Sequence, residues 1–167
     1  MLKSCLLHPE ILEALGRAGH SSKILIADGN YPFATQLGPN ARLVSLNLSP
    51  GLVSATQVLE AIVSVVPIEE ATVMEPVTSG PYALKNEPSI WSDFQRILKA
   101  SGSSVTLKKL ERFAFFDAGK DHNVALTIAT GEQRLYANLL LQIGVVFPEG
   151  GSREPVNQAI KTLKRSF

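Results

Sequence analysis

Gly19-His20-Ser21-Ser22-Lys23-Ile24-Leu25-Ile26-Ala27-Asp28-Gly29-Asn30-Tyr31-Pro32 is the stretch on which the fold turns. Upstream of it, Pro9 occupies a first helical position, and Ile11, Leu12, Leu15 and Ala18 recur at helical spacing. Gly19 stops that helix. Residues 23–27 are a short apolar run, rich enough in isoleucine for a buried strand. Asp28-Gly29-Asn30 ends the strand with a turn signal. The unit is helix, then buried strand, then a polar turn at the strand's end, where α/β folds place their ligands.

Downstream the same alternation continues. Loop through Gly38-Pro39-Asn40 leads to a strand over 42–46, and a helical stripe over 52–66 (Val58, Leu59, Ile62, Val63, Val66) ends at Pro67. A strand is expected over 71–77, a helix over 88–100 with Gly102 beyond it, and a short strand over 105–107. A helix over 111–120 and strands over 123–129 and 135–146 complete the series. The expected architecture is a single α/β domain over 1–147, a mostly parallel sheet flanked by helices. Pro148-Glu149-Gly150-Gly151-Ser152 reads as a linker within 148–167. Beyond it Val156, Ala159, Ile160 and Leu163 form an amphipathic tail helix, with Lys161, Lys164 and Arg165 complementing its C-terminal dipole.

Composition removes several classes of function. The chain has 167 residues, enough for one domain with a substantial core. Its 16 Lys and Arg nearly balance 15 Asp and Glu, so no basic surface for nucleic acid is expected. No run approaches the ~20 apolar residues of a membrane span, and no signal peptide is legible. The single cysteine, Cys5, rules out an internal disulfide framework and fits a reducing, cytoplasmic compartment. No glycine-rich phosphate loop occurs, and His8, His20 and His122 lack metal-ligand spacing.

The chemistry-bearing residues fall in two clusters. His20 and Asp28 flank the first strand; Arg112, Tyr136 and Asn138 lie near the ends of later elements. These types suit work on hydroxyl groups: an imidazole that exchanges protons near neutrality, a carboxylate, and neutral or cationic hydrogen-bonders. Each has an ordinary structural reading as well. A lone histidine is most often a plain hydrogen-bonder, Asp28-Gly29-Asn30 alone is a turn, Arg112 beside Glu111 fits an exposed ion pair, and Tyr136 and Asn138 fit strand residues. Strand length also separates His20 from Asp28 within one chain, unless the connection before the strand curls back.

Read in order, G-H-x-x-x-I-x-I-x-D-G-N-x-P, then E-R-F-A-F, T-G-E and Y-A-N-L-L-L, the chain resembles the RbsD/FucU family of ribose pyranases and fucose mutarotases, from about residue 8 to 146. The resemblance implies ring-like homo-oligomers, pentamers paired into decamers, with sites between subunits. It implies His20 as the catalytic histidine and Asp28 as its partner and a sugar-binding group. Tyr136 and Asn138 match the sugar-binding Y-x-N element. Arg112 lies in E-R-F-A-F, as in fucose mutarotases, where ribose pyranases commonly carry histidine. Ser21-Ser22 departs from the more usual small-acidic pair, and Phe116 stands where the fucose branch often has tyrosine. The implied activity is anomer interconversion of L-fucose or a related monosaccharide by general acid–base ring opening, with no cofactor or metal. D-ribose pyranase activity and non-catalytic sugar binding are the alternatives.

Overall fold

Period-two patterning splits the first strand between two cores. In β1 (Lys23–Ala27) Ile24 and Ile26 point to one face of the sheet and Leu25 and Ala27 to the other, all four fully buried. The larger core gathers Ile24 and Ile26 with three helices: α1 (Pro9–Arg17), α2 (Ala55–Val63) and α3 (Ser89–Ala100). The smaller gathers Leu25, Ala27, Tyr31, Met74 and Tyr136 around Phe115 of α4 (Arg112–Gly119). The structure, a computed structural model, describes residues 2–148, and the expected tail helix lies outside them.

The remaining strands are β2 (Arg42–Ser45), β3 (Ile68–Met74), β4 (Leu107–Leu110), β5 (Val124–Ala129) and β6 (Leu139–Ile143). They form one six-stranded sheet in the order β2-β5-β1-β6-β3-β4. Every strand but β6 runs the same way, so the mixed α/β architecture is parallel apart from this one reversed strand. β6 is inserted between β1 and β3, pairing Ile26 with Leu139 on one side and Val73 with Leu139 on the other.

Several boundaries differ from the sequence reading, each for a local reason. α2 starts at Ala55 rather than 52, because Ser54 caps it: the Gln57 amide donates to the Ser54 hydroxyl, and the Gln57 side chain accepts from the Ser54 amide. β3 begins at Ile68 and stops at Met74, before Pro76, which has no amide to give a ladder. β4 takes in Lys108 and Lys109, which an edge strand tolerates because one face is solvated. The apolar run 135–138 is not strand; Tyr136 adopts a left-handed φ of 56° and turns the chain into β6.

Candidate functional site

Because β6 is reversed, its first residues lie at the C-terminal edge of the parallel strands. The pairing of Ile26 with Leu139 puts Asn138 beside Asp28, and β3 delivers Met74 to the same edge. β4 ends at Leu110, and Glu111 caps α4 by accepting from the Phe113 amide (2.8 Å) and the Ala114 amide (3.3 Å). That cap fixes Arg112 as the first residue of the helix, facing the edge.

The four elements enclose a cavity of about 310 Å³. Asp28, Arg112, Tyr136 and Asn138 all line it, with Asn30, Tyr31, Met74, Tyr82 and Phe116. Its volume sits at the lower end of the range for small-molecule pockets.

Asp28 is the centre of the polar wall and is only 3% exposed. Its Oδ2 accepts from the Asn138 side-chain amide (2.9 Å) and the Ala137 backbone amide (3.2 Å). Its Oδ1 accepts from the Asn30 amide (3.0 Å), and its own amide donates to Asn138 Oδ1 (2.9 Å). The Tyr31 amide adds a weaker stabilising interaction to these three donors. Burial pushes the Asp28 carboxyl above its ordinary range; the Asn30 and Ala137 amides oppose that rise, and the negative charge of Glu132 adds to it. A carboxylate held this way accepts a hydroxyl proton more readily than a solvated one.

Arg112 makes no ion pair among the described residues; its guanidinium lies 5.7 Å from the Phe116 ring centroid, over the aromatic face. Its guanidinium faces the cavity that Arg112 helps to line. Tyr136 is buried, and its hydroxyl donates to the Tyr82 carbonyl (2.8 Å) and accepts from the Val77 amide (3.3 Å). Its own carbonyl accepts from the Trp91 indole (3.1 Å), which holds the left-handed turn.

Thr130-Gly131-Glu132 builds the floor beneath the site. Thr130 donates through its amide and hydroxyl to the Ala27 carbonyl, and the Glu132 carbonyl accepts from the Gly29 amide at 2.8 Å. Gly131 is required by a close approach: a Cβ there would sit 2.2 Å from the Leu52 carbonyl oxygen. The buried Glu132 carboxylate accepts from Arg134 Nε (2.9 Å) and Nη2 (2.8 Å), and Arg134 also reaches Asp93 (3.0 Å).

His20 is not in this cavity. It lies before β1, at the opposite edge of the sheet, where its Nε2 meets both Glu69 carboxylate oxygens at 3.0 Å. The Gln142 side chain also binds Glu69 (2.6 Å), so His20, Glu69 and Gln142 form one polar cluster. Sequence reading missed Glu69, because it began this strand at 71 and left Glu69-Glu70 outside it. Glu69 is the second residue of β3, and only the topology brings the start of β3 level with the start of β1. Within one chain, then, His20 pairs with Glu69, and Asp28 pairs with Asn138.

Among the described residues no cluster of three or more His, Cys, Asp or Glu side chains has metal-binding geometry. No helix among them is long and apolar enough to cross a membrane.

The RbsD / FucU transport protein family model matches residues 1–146. The human protein named fucose mutarotase is 35% identical over 148 residues, which cover 84% of this chain and 90% of the human one. The D-ribose pyranase of Photorhabdus laumondii is 30% identical over 147 residues, covering 88% of this chain and 100% of its own. The crystal structure of a fucose mutarotase from Streptococcus pneumoniae in complex with L-fucose superposes with a TM-score of 0.71 at 26% identity, covering 84% of this chain and 94% of that one.

Proposed function

The chain belongs to the RbsD/FucU family, and from that membership we propose that it is a monosaccharide mutarotase, an isomerase interconverting the α and β anomers of L-fucose or a closely related sugar. The observation that carries this reading is the cavity shared by a buried carboxylate, Asp28, and a guanidinium that makes no ion pair among the described residues, Arg112. Asp28 is the natural acceptor for sugar hydroxyls, and Arg112 the natural donor. Asn138 holds Asp28 and presents its amide to the same space, and the Tyr136 ring forms part of the wall.

Anomer exchange opens the hemiacetal ring, turns the freed carbonyl and closes the ring on its other face. One proton leaves the anomeric hydroxyl and one reaches the ring oxygen; reclosure reverses both transfers. The bond between the anomeric carbon and the ring oxygen breaks as that oxygen takes its proton and re-forms on reclosure, with no net change of oxidation state, so the reaction calls for no redox cofactor. Positioned acid–base groups supply ~10²–10⁴-fold in such a step, sufficient for a reaction already accessible in water.

The acid–base group we assign is His20, oriented by Glu69. It reaches the Asp28 cavity from a neighbouring copy, so the working form is a homo-oligomer with shared sites. Two observations support this. His20 and Asp28 lie at opposite ends of β1, a five-residue strand that is ~16 Å long at ~3.3 Å per residue. The surface also exposes large apolar side chains that a partner would cover, Leu48 (83%) and Phe113 (72%) among them. Ring-shaped pentamers, paired or single, and a cytoplasmic setting in keeping with one free cysteine complete the proposal.

The test is anomeric-proton exchange NMR on equilibrated L-fucose, with D-ribose alongside. Acceleration of fucose α/β exchange that His20→Ala abolishes is the expected result. Mixing refolded His20→Ala with Asp28→Asn then restores part of the activity, since some interfaces pair two intact residues. Acceleration confined to ribose ring-size exchange assigns the pyranase reaction instead, and wild-type rates in His20→Ala remove that residue from the mechanism.

A further inference from the structure

Between β3 and α3 the chain runs through residues 75–88 without regular structure, over the mouth of the cavity. A connection of this length in a compact domain is commonly functional. Its start is held by the Glu75 amide, which donates to the Leu110 carbonyl, and its end by an ion pair between Glu87 and Lys109. From 76 to 86 the segment is largely exposed. Across that stretch the hydrogen bonds to the rest of the described chain all come from one atom, the Tyr136 hydroxyl. Leu84 adds apolar contact with the smaller core.

We infer that Tyr136 is a positioning residue whose hydroxyl latches the 76–86 segment as a lid, holding Tyr82 against the sugar cavity. The hydroxyl can act as donor and acceptor at once, and here it does both. It donates to the Tyr82 carbonyl and accepts from the Val77 amide, closing the segment on itself and onto the body of the protein. Those two bonds occupy its one proton and one of its two lone pairs, so its O–H is committed to the segment and cannot donate elsewhere.

What the latch presents is the Tyr82 side chain, which lines the cavity while remaining 61% exposed. An aromatic ring at a pocket mouth offers a flat apolar surface with a polar tip, matched to the C–H face of a pyranose with its hydroxyls at the rim. Such a lid acts on capture and retention of the sugar, not on proton transfer. Segments with few buried contacts open at low free-energy cost, so release of a single hydroxyl is enough to free the mouth. The purpose of the lid rests on the mutarotase reading; the latch itself does not.

Tyr136→Phe keeps the ring in the cavity wall and removes only the two bonds. In hydrogen–deuterium exchange on the full chain, the Val77 amide should exchange about tenfold faster, the effect of losing roughly one net hydrogen bond's worth of protection. In the anomer-exchange assay KM should rise several-fold while kcat stays near the wild-type value. Tyr82→Ala retains the backbone carbonyl and therefore the latch, so Val77 stays protected while KM rises. Wild-type exchange at Val77 in Tyr136→Phe overturns the latch, and a fall in kcat at unchanged KM overturns the lid's role in sugar capture. If the wild-type protein accelerates no sugar, the exchange experiment still decides on the latch, and only the purpose of the lid falls.

Discussion

Replacing Arg134 with methionine tests how the turn under the site is held. Glu132 is buried, and its carboxylate takes two charge-assisted bonds from Arg134, at 2.9 and 2.8 Å, besides backbone amides of Gln133, Arg134 and Ala55. Bonds to charged groups contribute about 1.5–3 kcal/mol each. The Arg134 side chain is 37% exposed, so solvent screening reduces the pair to about 2 kcal/mol. For a domain of this size that lowers the melting temperature by ~4–8 °C.

The pH dependence separates charge from packing. The bond from Arg134 is the largest cause holding the Glu132 carboxyl below its ordinary value of 4.5, and burial works against it. A depressed folded-state pKa means the stabilisation is present above 4.5 and is lost as pH falls through the lower folded value. In Arg134→Met burial acts without that opposition, and the pKa rises. The stability gap between wild type and variant should therefore be widest near pH 7 and shrink as the solution is acidified through 4.5. Urea denaturation at pH 7, 5.5 and 4, at one fixed protein concentration, measures it. An equal gap at all three pH values refutes the ion-pair account and assigns the loss to packing of the arginine stem.

Two further outcomes follow from the cavity itself. Asn138→Leu removes a donor to the Asp28 carboxylate and strands the buried Asp28 amide, so it should cost about 2–3 kcal/mol and raise the Asp28 pKa further. The acid limb of the anomer-exchange pH profile then moves to higher pH, and an unmoved limb would detach Asp28 ionisation from turnover. Tyr31 has a buried hydroxyl with no hydrogen-bond partner among the described residues, and burial pushes its pKa up to about 12. Tyr31→Phe should therefore add about 1 kcal/mol of stability, read as a higher urea midpoint at unchanged slope; a lowered midpoint would mean the hydroxyl has a partner in the assembled protein.

The parts of the fold that were legible in the sequence are those whose cause is local. The isoleucine-rich β1 and the Asp28-Gly29-Asn30 turn depend on neighbours a few residues away, and the structure has them where the pattern puts them; α1 instead ends at Arg17, with Ala18 rather than Gly19 as its extended C-cap. What was not legible depends on distant partners. Leu135-Tyr136-Ala137 reads as strand because it is apolar. It is bent out of that conformation by the Asp28 carboxylate at the Ala137 amide and the Trp91 indole at the Tyr136 carbonyl. The pairing of His20 with Glu69 spans 49 positions, with β1, β2 and α2 between them, so no local pattern announces it. The cavity was legible as a set of residue types, since family-like order placed Asp28, Arg112, Tyr136 and Asn138 together. The geometry that sends His20 to the other edge follows only from where β1 begins and ends.

The reversal of β6 is what makes these pieces one site. In an all-parallel sheet the C-terminal edge receives strand ends and helix starts, and the residues before a strand belong to the opposite edge. With β6 antiparallel, its lead-in residues 135–138 arrive at the same edge as Asp28. That meeting solves a definite electrostatic problem. A carboxylate as buried as Asp28 is disfavoured in its charged form, and its elevated pKa records the cost. Asn138 and the Ala137 amide are two of the donors that keep the charge tolerable. The left-handed turn at Tyr136 is needed to aim the Ala137 amide at Oδ2, and the same turn carries the hydroxyl to the lid. One backbone reversal therefore sets both the ionisation of the carboxylate and the closure above it, and a substitution that relaxes the turn should disturb the two together.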